Sequence, residues 1–305
     1  MEQFKEPKFR SPEVKQVTER TYEQYIGKLH IPEEYLKNRG VIVDIGAGFA
    51  NFAQKVNERF GETGTKAYAI DPVYTFFNGD FEEFEKSLDG SGLFLDFGYG
   101  RTSQEGKGLE EVKQEMKRLY DEFYREATQS GCYIAGSHQN LPFKNESVDL
   151  IVGNNSILRF NNREIVIRAL NEIVRILKQS GEARIGPTYF DWDKERNELA
   201  LVKYGTMTKQ DIEDQERTGK LIDRVMFFVF KNLQAQGIKT YVGIDRNKET
   251  GQTVVQNFIL RKDEKIPEMN TDDPFFHELR RINFAESDDQ FFIPSEVIDL
   301  KRYKK

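Results

Sequence analysis

Val41-Ile42-Val43-Asp44-Ile45-Gly46-Ala47-Gly48-Phe49-Ala50 is the stretch on which the reading of this chain turns. Its first five residues are apolar and mostly β-branched, apart from one acid. That suits a short strand buried on both faces of a parallel sheet. Two glycines follow. Glycine adopts backbone angles that other residues avoid, so a strand can turn sharply into a helix there and a ligand can approach the main chain. Phe52, Val56 and Phe60, spaced four apart, mark the helix, and Gly61 marks its end. Lys66-Ala67-Tyr68-Ala69-Ile70-Asp71 then predicts a second strand with an acid at its tip. Strand, glycine turn, helix and strand make a βαβ unit, and the chain reads as α/β.

The pattern continues on both sides. Residues 132–135, 148–152 and 182–185 predict three more strands. Helices are predicted over 108–129, with Leu109, Val112, Met116, Leu119, Phe123 and Ala127 on one face, and over 163–178. Residues 239–244 and 254–260 flank Asn247-Lys248-Glu249-Thr250-Gly251 and read as an antiparallel hairpin. Upstream, Ser11 reads as a cap and Pro12 as the first turn of a helix running to about Leu29. A short helix at 32–37 should end near Gly40. Residues 75–101, with Phe76-Phe77, an acidic segment at 80–86 and four glycines, exceed the ~2–6 residues of an ordinary α/β connection and read as an insertion. A second irregular stretch, 187–218, precedes a predicted helix at 219–236. The tail after Lys262 carries Phe275, Phe276, Phe284, Phe291 and Phe292, which predict packing on the body.

The 305 residues allow two domains or one enlarged α/β domain. A formal charge of −6 disfavours nucleic acid as a partner, because duplex binding leans on Lys and Arg neutralising phosphates. The single cysteine, Cys132, excludes an intramolecular disulfide framework. His30, His138 and His277 are not paired with it or each other at ligand spacing, so no metal is expected. Residues 1–6 show no signal region, and the longest tight apolar run, 226–230, is far short of the ~20 residues that cross a bilayer. A soluble, cytoplasmic protein is the expectation.

Asp71 gives the glycine turn a ligand class. A carboxylate at the tip of the neighbouring strand can accept both ribose hydroxyl protons, as in nucleotide-binding α/β folds. It can also simply cap the turn ahead of Pro72. The dinucleotide fingerprint G-x-G-x-x-G would need glycine at Asn51. Its absence, with Asp44 beside the turn, disfavours a pyrophosphate and suits a cationic or zwitterionic ligand.

These residues resemble the class I S-adenosylmethionine-dependent methyltransferases. Asp44, Gly46 and Gly48 match the family's acid-x-Gly-x-Gly motif, with Ala50 at the frequent third glycine. Asp71 matches the strand-tip acid. Gly136-Ser137-His138-Gln139-Asn140-Leu141-Pro142-Phe143, then Ser147-Val148-Asp149-Leu150-Ile151, looks like the family's loop and fourth strand. Glu172-Ile173-Val174-Arg175-Ile176-Leu177-Lys178, then Gly181, looks like its helix and turn before the fifth. The resemblance implies a Rossmann-like, mostly parallel seven-stranded sheet with an antiparallel last strand and helices on both faces. It implies a helical extension at 1–39, a cofactor-binding domain at 40–262 interrupted at about 75–101, and a tail at 263–305 packed on the core.

It also implies S-adenosyl-L-methionine as cofactor, held by Asp44, Gly46, Ala47, Gly48, Asp71, Pro72, Ser137, His138 and Asn154. Ser137 stands where the family often has an aspartate that accepts from the adenine amino group, and serine can still accept. His138 is then an adenine neighbour rather than a base. Methyl transfer is an in-line displacement at an already activated sulfonium methyl, so the protein supplies orientation and electrostatics. A base is needed only when the acceptor must lose a proton. Asn155, Tyr189 and Asp191 are candidates to face that acceptor: Asn155 reads equally as a turn residue, and Tyr189 and Asp191 read more plainly as surface loop; no catalytic residue is assigned. A small or medium-sized acceptor is expected. Gly153-Asn154-Asn155-Ser156 lacks the Asn/Asp-Pro-Pro-aromatic motif of enzymes that methylate adenine. Two other functions stay open: a non-catalytic protein of this fold that binds cofactor or a protein partner, and, against Asn51 and the later segments, an NAD-dependent oxidoreductase.

Overall fold

A row of strand residues alternates between two apolar layers, and this alternation sets the architecture. The computed structural model describes residues 21–48, 50–76, 79–87, 109–154, 156–157, 163–186, 233–246, 253–265, 267, 276–282 and 294–298. Their strands are β1 (Val41–Ile45), β2 (Lys66–Asp71), β3 (Tyr133–Ala135), β4 (Val148–Asn154), β5 (Leu177–Gly186), β6 (Lys239–Arg246), β7 (Thr253–Arg261), β8 (Phe276–Ile282) and β9 (Pro294–Ile298). The helices are α1 (Tyr22–Lys28), α2 (Glu33–Leu36), α3 (Asn51–Phe60), α4 (Phe81–Ser87), α5 (Leu109–Ser130) and α6 (Arg163–Ile176).

Successive strand residues point to opposite faces. Ile42, Ala67, Ala69, Leu150 and Val152 pack with Tyr22, Tyr25, Phe52 and Tyr120 from α1, α3 and α5. Val43, Ile45, Ile70, Ile151, Ala183 and Ile185 pack with Val166, Leu170 and Ile173 from α6. Helices therefore cover both faces, as expected.

The strands form one sheet in the order β3-β2-β1-β4-β5-β7-β6-β8-β9. Pairings from β3 through β5 are parallel, and β7 enters antiparallel between β5 and β6. The seven expected strands are all there, with the last of them reversed. Two more follow: β8 pairs with β6 and β9 with β8, both antiparallel. They come from the tail. Phe276, Leu279 and Ile282 recur every third residue, a helical spacing, so no alternation announced β8.

The N-terminal helix also differs from expectation. It does not run unbroken from 12 to 29. Thr21 is extended and caps a helix that starts at Tyr22, with Thr21 and Gln24 bonding each other's backbone N–H in a capping box. Residues 1–20 lie outside the described set. So do most of the 75–101 insertion, the 187–218 stretch, the hairpin loop at 247–252 and the predicted helix at 219–236 up to Leu233. Within the insertion, 81–87 is helical. Asp80 caps it, its Oδ1 accepting from Glu82 and Glu83 backbone N–H at 2.9 and 3.0 Å.

The sheet face under α1 and α2 carries buried charge. Arg184 and Glu182 are fully buried and bridge at 2.5 Å. Arg261 donates to the other Glu182 oxygen at 2.5 Å and to Asp263 at 2.7 Å. Arg184 also donates to the carbonyls of Leu29, at 3.0 Å, and His30. Asn257 of β7 donates to the Lys28 carbonyl at 3.0 Å. A helix cannot satisfy its last carbonyls itself, and a cation is favourable at that end. Arg184 and Asn257 thus dock the end of α1 on the sheet.

Burial alone would raise the Glu182 carboxyl, but the two guanidiniums outweigh it and hold it below the usual carboxylate range. Breaking a buried pair leaves an uncompensated charge, so Glu182→Gln should cost about 3–5 kcal/mol in urea unfolding at pH 7. A depressed folded value gives stability that is full above the unfolded value, about 4.3, and lost as pH falls through the lower folded one. The gap between wild type and variant should therefore close below about pH 4.

Candidate functional site

In an open parallel sheet, ligands bind beyond the carboxyl ends of the strands, where the strand order reverses. Here that point lies between β1 and β4. Asp44 near the end of β1, Asp71 ending β2 and Asn154 ending β4 all share the pleat face of Ile42, Ala69 and Val152. The three are buried. The sheet thus brings two carboxylates and an amide to one place, under α1 and α3.

The glycine turn is held from both sides. Gly46 and Gly48 have φ of 69° and 54°, the left-handed region glycine enters freely. The Gly46 and Ala47 N–H groups donate to the Ile70 carbonyl at 2.8 and 3.3 Å. The Gly48 N–H donates to Asp71 Oδ2 at 3.0 Å. On the other side, Ser156 Oγ donates to the Ile45 carbonyl at 2.7 Å. A Cβ at Gly46 would lie 2.3 Å from Ser156 Cβ. Ala50, at the family's third glycine, takes φ of 57° and bears that strain without being glycine.

Sequence reasoning missed three residues. Tyr25 donates its hydroxyl to Asp44 Oδ1 at 3.0 Å. Asn51, noted only as a missing glycine, accepts the Tyr22 N–H at 2.8 Å and so caps α1. Tyr74, buried two residues past Pro72, has its hydroxyl pKa pushed well above the ordinary value by burial and then by the charges of Asp71 and Asp44. The capping box at Thr21 was a signal that placed Tyr25 on a helix. Nothing local paired Tyr25 with Asp44.

The loop after β3 leaves beside Asp71, since the Gly136 N–H donates to the Asp71 carbonyl at 3.4 Å. Ser137 Oγ accepts the Gln139 N–H at 3.3 Å. Glu172 and Arg175 of α6 clamp the loop. Glu172 accepts the Leu141 N–H at 2.9 Å, and Arg175 donates to the Leu141 and Phe143 carbonyls, each at 2.8 Å. His138 is buried, and burial lowers its pKa to about 4. Pro72 is half-buried at the start of the turn after Asp71, and Ala47 is buried. Asn155, Tyr189 and Asp191 lie outside the described residues. Among the described residues no three His, Cys, Asp or Glu side chains are grouped to hold a metal. None of the described helices is long and apolar enough to cross a membrane.

Residues 108–185 match the family model of a methyltransferase domain. That stretch is thus similar to a methyltransferase domain. The matched stretch runs from α5 to β5, so it includes the clamped loop and the Glu172–Arg175 pair but not the glycine turn. No curated protein matches the chain. Among solved structures, a protein from Pyrococcus horikoshii is 15% identical, with 81% of this chain and 93% of that one covered and a TM-score of 0.40. An S-adenosylmethionine-dependent methyltransferase from Aquifex aeolicus is 16% identical, covering 77% and 90%, with a TM-score of 0.32. The sheet of this chain departs from the 3-2-1-4-5-6 order of dinucleotide-binding folds. Antiparallel β7 stands next to β5, where that order has the sixth strand.

Two measurements test the site. Gly46→Ala should cost at least about 2 kcal/mol in urea unfolding, from left-handed strain and the Ser156 collision. Adding Ser156→Gly should recover only the collision. The His138 Cε1 proton should titrate near pH 4 by NMR. The unfolded state takes that proton near pH 6.5, so His138 should reduce stability progressively as pH falls from there towards 4.

Proposed function

We propose that the chain is an S-adenosyl-L-methionine-dependent methyltransferase that acts by in-line displacement on a small or medium-sized acceptor. The observation that carries this reading is the pair of carboxylates at the switch point, one of them bonded to the glycine turn. The donor set fits such a cofactor. Asp44 offers a negative charge to an ammonium end, and Asp71 offers acceptors to a ribose diol. A pyrophosphate would meet two anions there, which counts against the nicotinamide reading.

When bound, the cofactor supplies a methyl group on a positively charged sulfur. In this reading the residues of the chain orient it. Gly46, Ala47 and Gly48 bring backbone close to it, and Asn154 lies at its amino-acid end. Ser137 and His138, with Pro72, border the adenine. A neutral His138 presents a donor or an acceptor without a charge to desolvate. The domain is taken to span 40–262, and a cytoplasmic home is supported by the lone cysteine.

A ligand that binds only the folded state raises stability by mass action. S-adenosylhomocysteine at 100 times its dissociation constant should add about 2.7 kcal/mol, raising Tm by several degrees. NAD should not shift it. Asp71→Ala should abolish the S-adenosylhomocysteine shift. A shift with NAD, or none with S-adenosylhomocysteine, overturns the reading.

A further inference from the structure

We propose that Tyr25 is a positioning residue for cofactor binding: its hydroxyl fixes the Asp44 carboxylate in the orientation that receives the ammonium end of the cofactor. The proposal rests on the cofactor reading above and adds a residue outside the methyltransferase motifs.

A carboxylate only accepts, so at 3.0 Å the phenol donates to Asp44 Oδ1. Both side chains are buried. A hydrogen bond to a charged group away from water is among the stronger kinds, and it fixes the carboxylate plane and hence where Oδ2 is aimed. Tyr25 is itself held. Its ring stacks on Phe52 of α3 with centroids 4.7 Å apart and an 18° tilt. One end of α1 is capped by Asn51, and the other is docked by Arg184 and Asn257. The phenol thus reaches Asp44 from a helix anchored at both ends, and one anchor, Asn51, begins the helix that follows the glycine turn.

Tyr25→Phe keeps the ring and removes the hydroxyl. The test is calorimetric titration with S-adenosylhomocysteine and with 5′-methylthioadenosine, which keeps the adenosine and sulfur but lacks the amino-acid end. Tyr25→Phe should weaken S-adenosylhomocysteine by about 10-fold or more. It should change 5′-methylthioadenosine by less than about 2-fold. A structural role alone would weaken both alike. Equal losses, or no loss for either, overturn the proposal.

Asp44→Asn removes the buried charge and keeps the comparison readable if Tyr25→Phe destabilises the fold. In that background, adding Tyr25→Phe should change S-adenosylhomocysteine affinity by less than about 2-fold, and a further 10-fold loss overturns the proposal. Wild type that binds neither ligand overturns the cofactor reading and this one with it. Wild type that binds both, with an unselective variant, overturns only the role of Tyr25.

Discussion

The fully buried guanidinium of Arg184 is the constraint around which much of the structure is arranged. A cation in that position must be compensated, and Glu182 on the same strand does so. Glu182 shares its second oxygen with Arg261, and Arg261 turns to Asp263. Arg184 Nη1 donates to the carbonyls of Leu29 and His30 at the end of α1. An apolar pair at 182 and 184 could pack as well and cost less desolvation, but it would not specify where a helix end must sit. Here β5 and β7 fix the helix that lies over β1. The geometry around Asp44 is therefore set partly by strands that supply none of the residues proposed to hold the cofactor.

The segments that resemble a family also hold one another. The loop at 137–143 and the Glu172–Arg175 pair are some thirty residues apart in the chain, yet share three hydrogen bonds at 2.8–2.9 Å. The likeness in both segments follows from one clamp that shapes the loop beside Asp71. It is a likeness of scaffold.

Much of the fold was legible because its strands are short apolar runs closed by glycine or acid. Asp44 and Asp71 stood out for the same reason: each lies at or next to the end of such a run. Glu182-Ala183-Arg184-Ile185 was read correctly as a strand, but alternation of charged and apolar residues ordinarily means one wet face. Here the charged face is buried, because Glu182 and Arg184 pair with each other and are bonded further by Arg261 and by the carbonyls of Leu29 and His30. Tyr25 and Asn51 escaped notice for a related reason. Their partners lie 19 and 29 residues away, and each looks ordinary in its own neighbourhood. The tail strands β8 and β9 were hidden by a spacing of three and by charge.

The docking of α1 also has a timing. Its seven residues are too few to persist as a helix in water. Arg184, which donates to the carbonyl of Leu29 at its end, lies 155 residues downstream of that residue, and Asn257, which donates to the Lys28 carbonyl, lies 229 downstream of Lys28. At roughly 5–20 residues per second, a ribosome needs on the order of 10–50 s between making Lys28 and making Asn257. The first described helix to be synthesised is thus among the last to gain its full set of anchors. Until β7 arrives, the nascent chain carries Asp44 without the finished lid of helix above it, a long-range closure of the kind that slows folding.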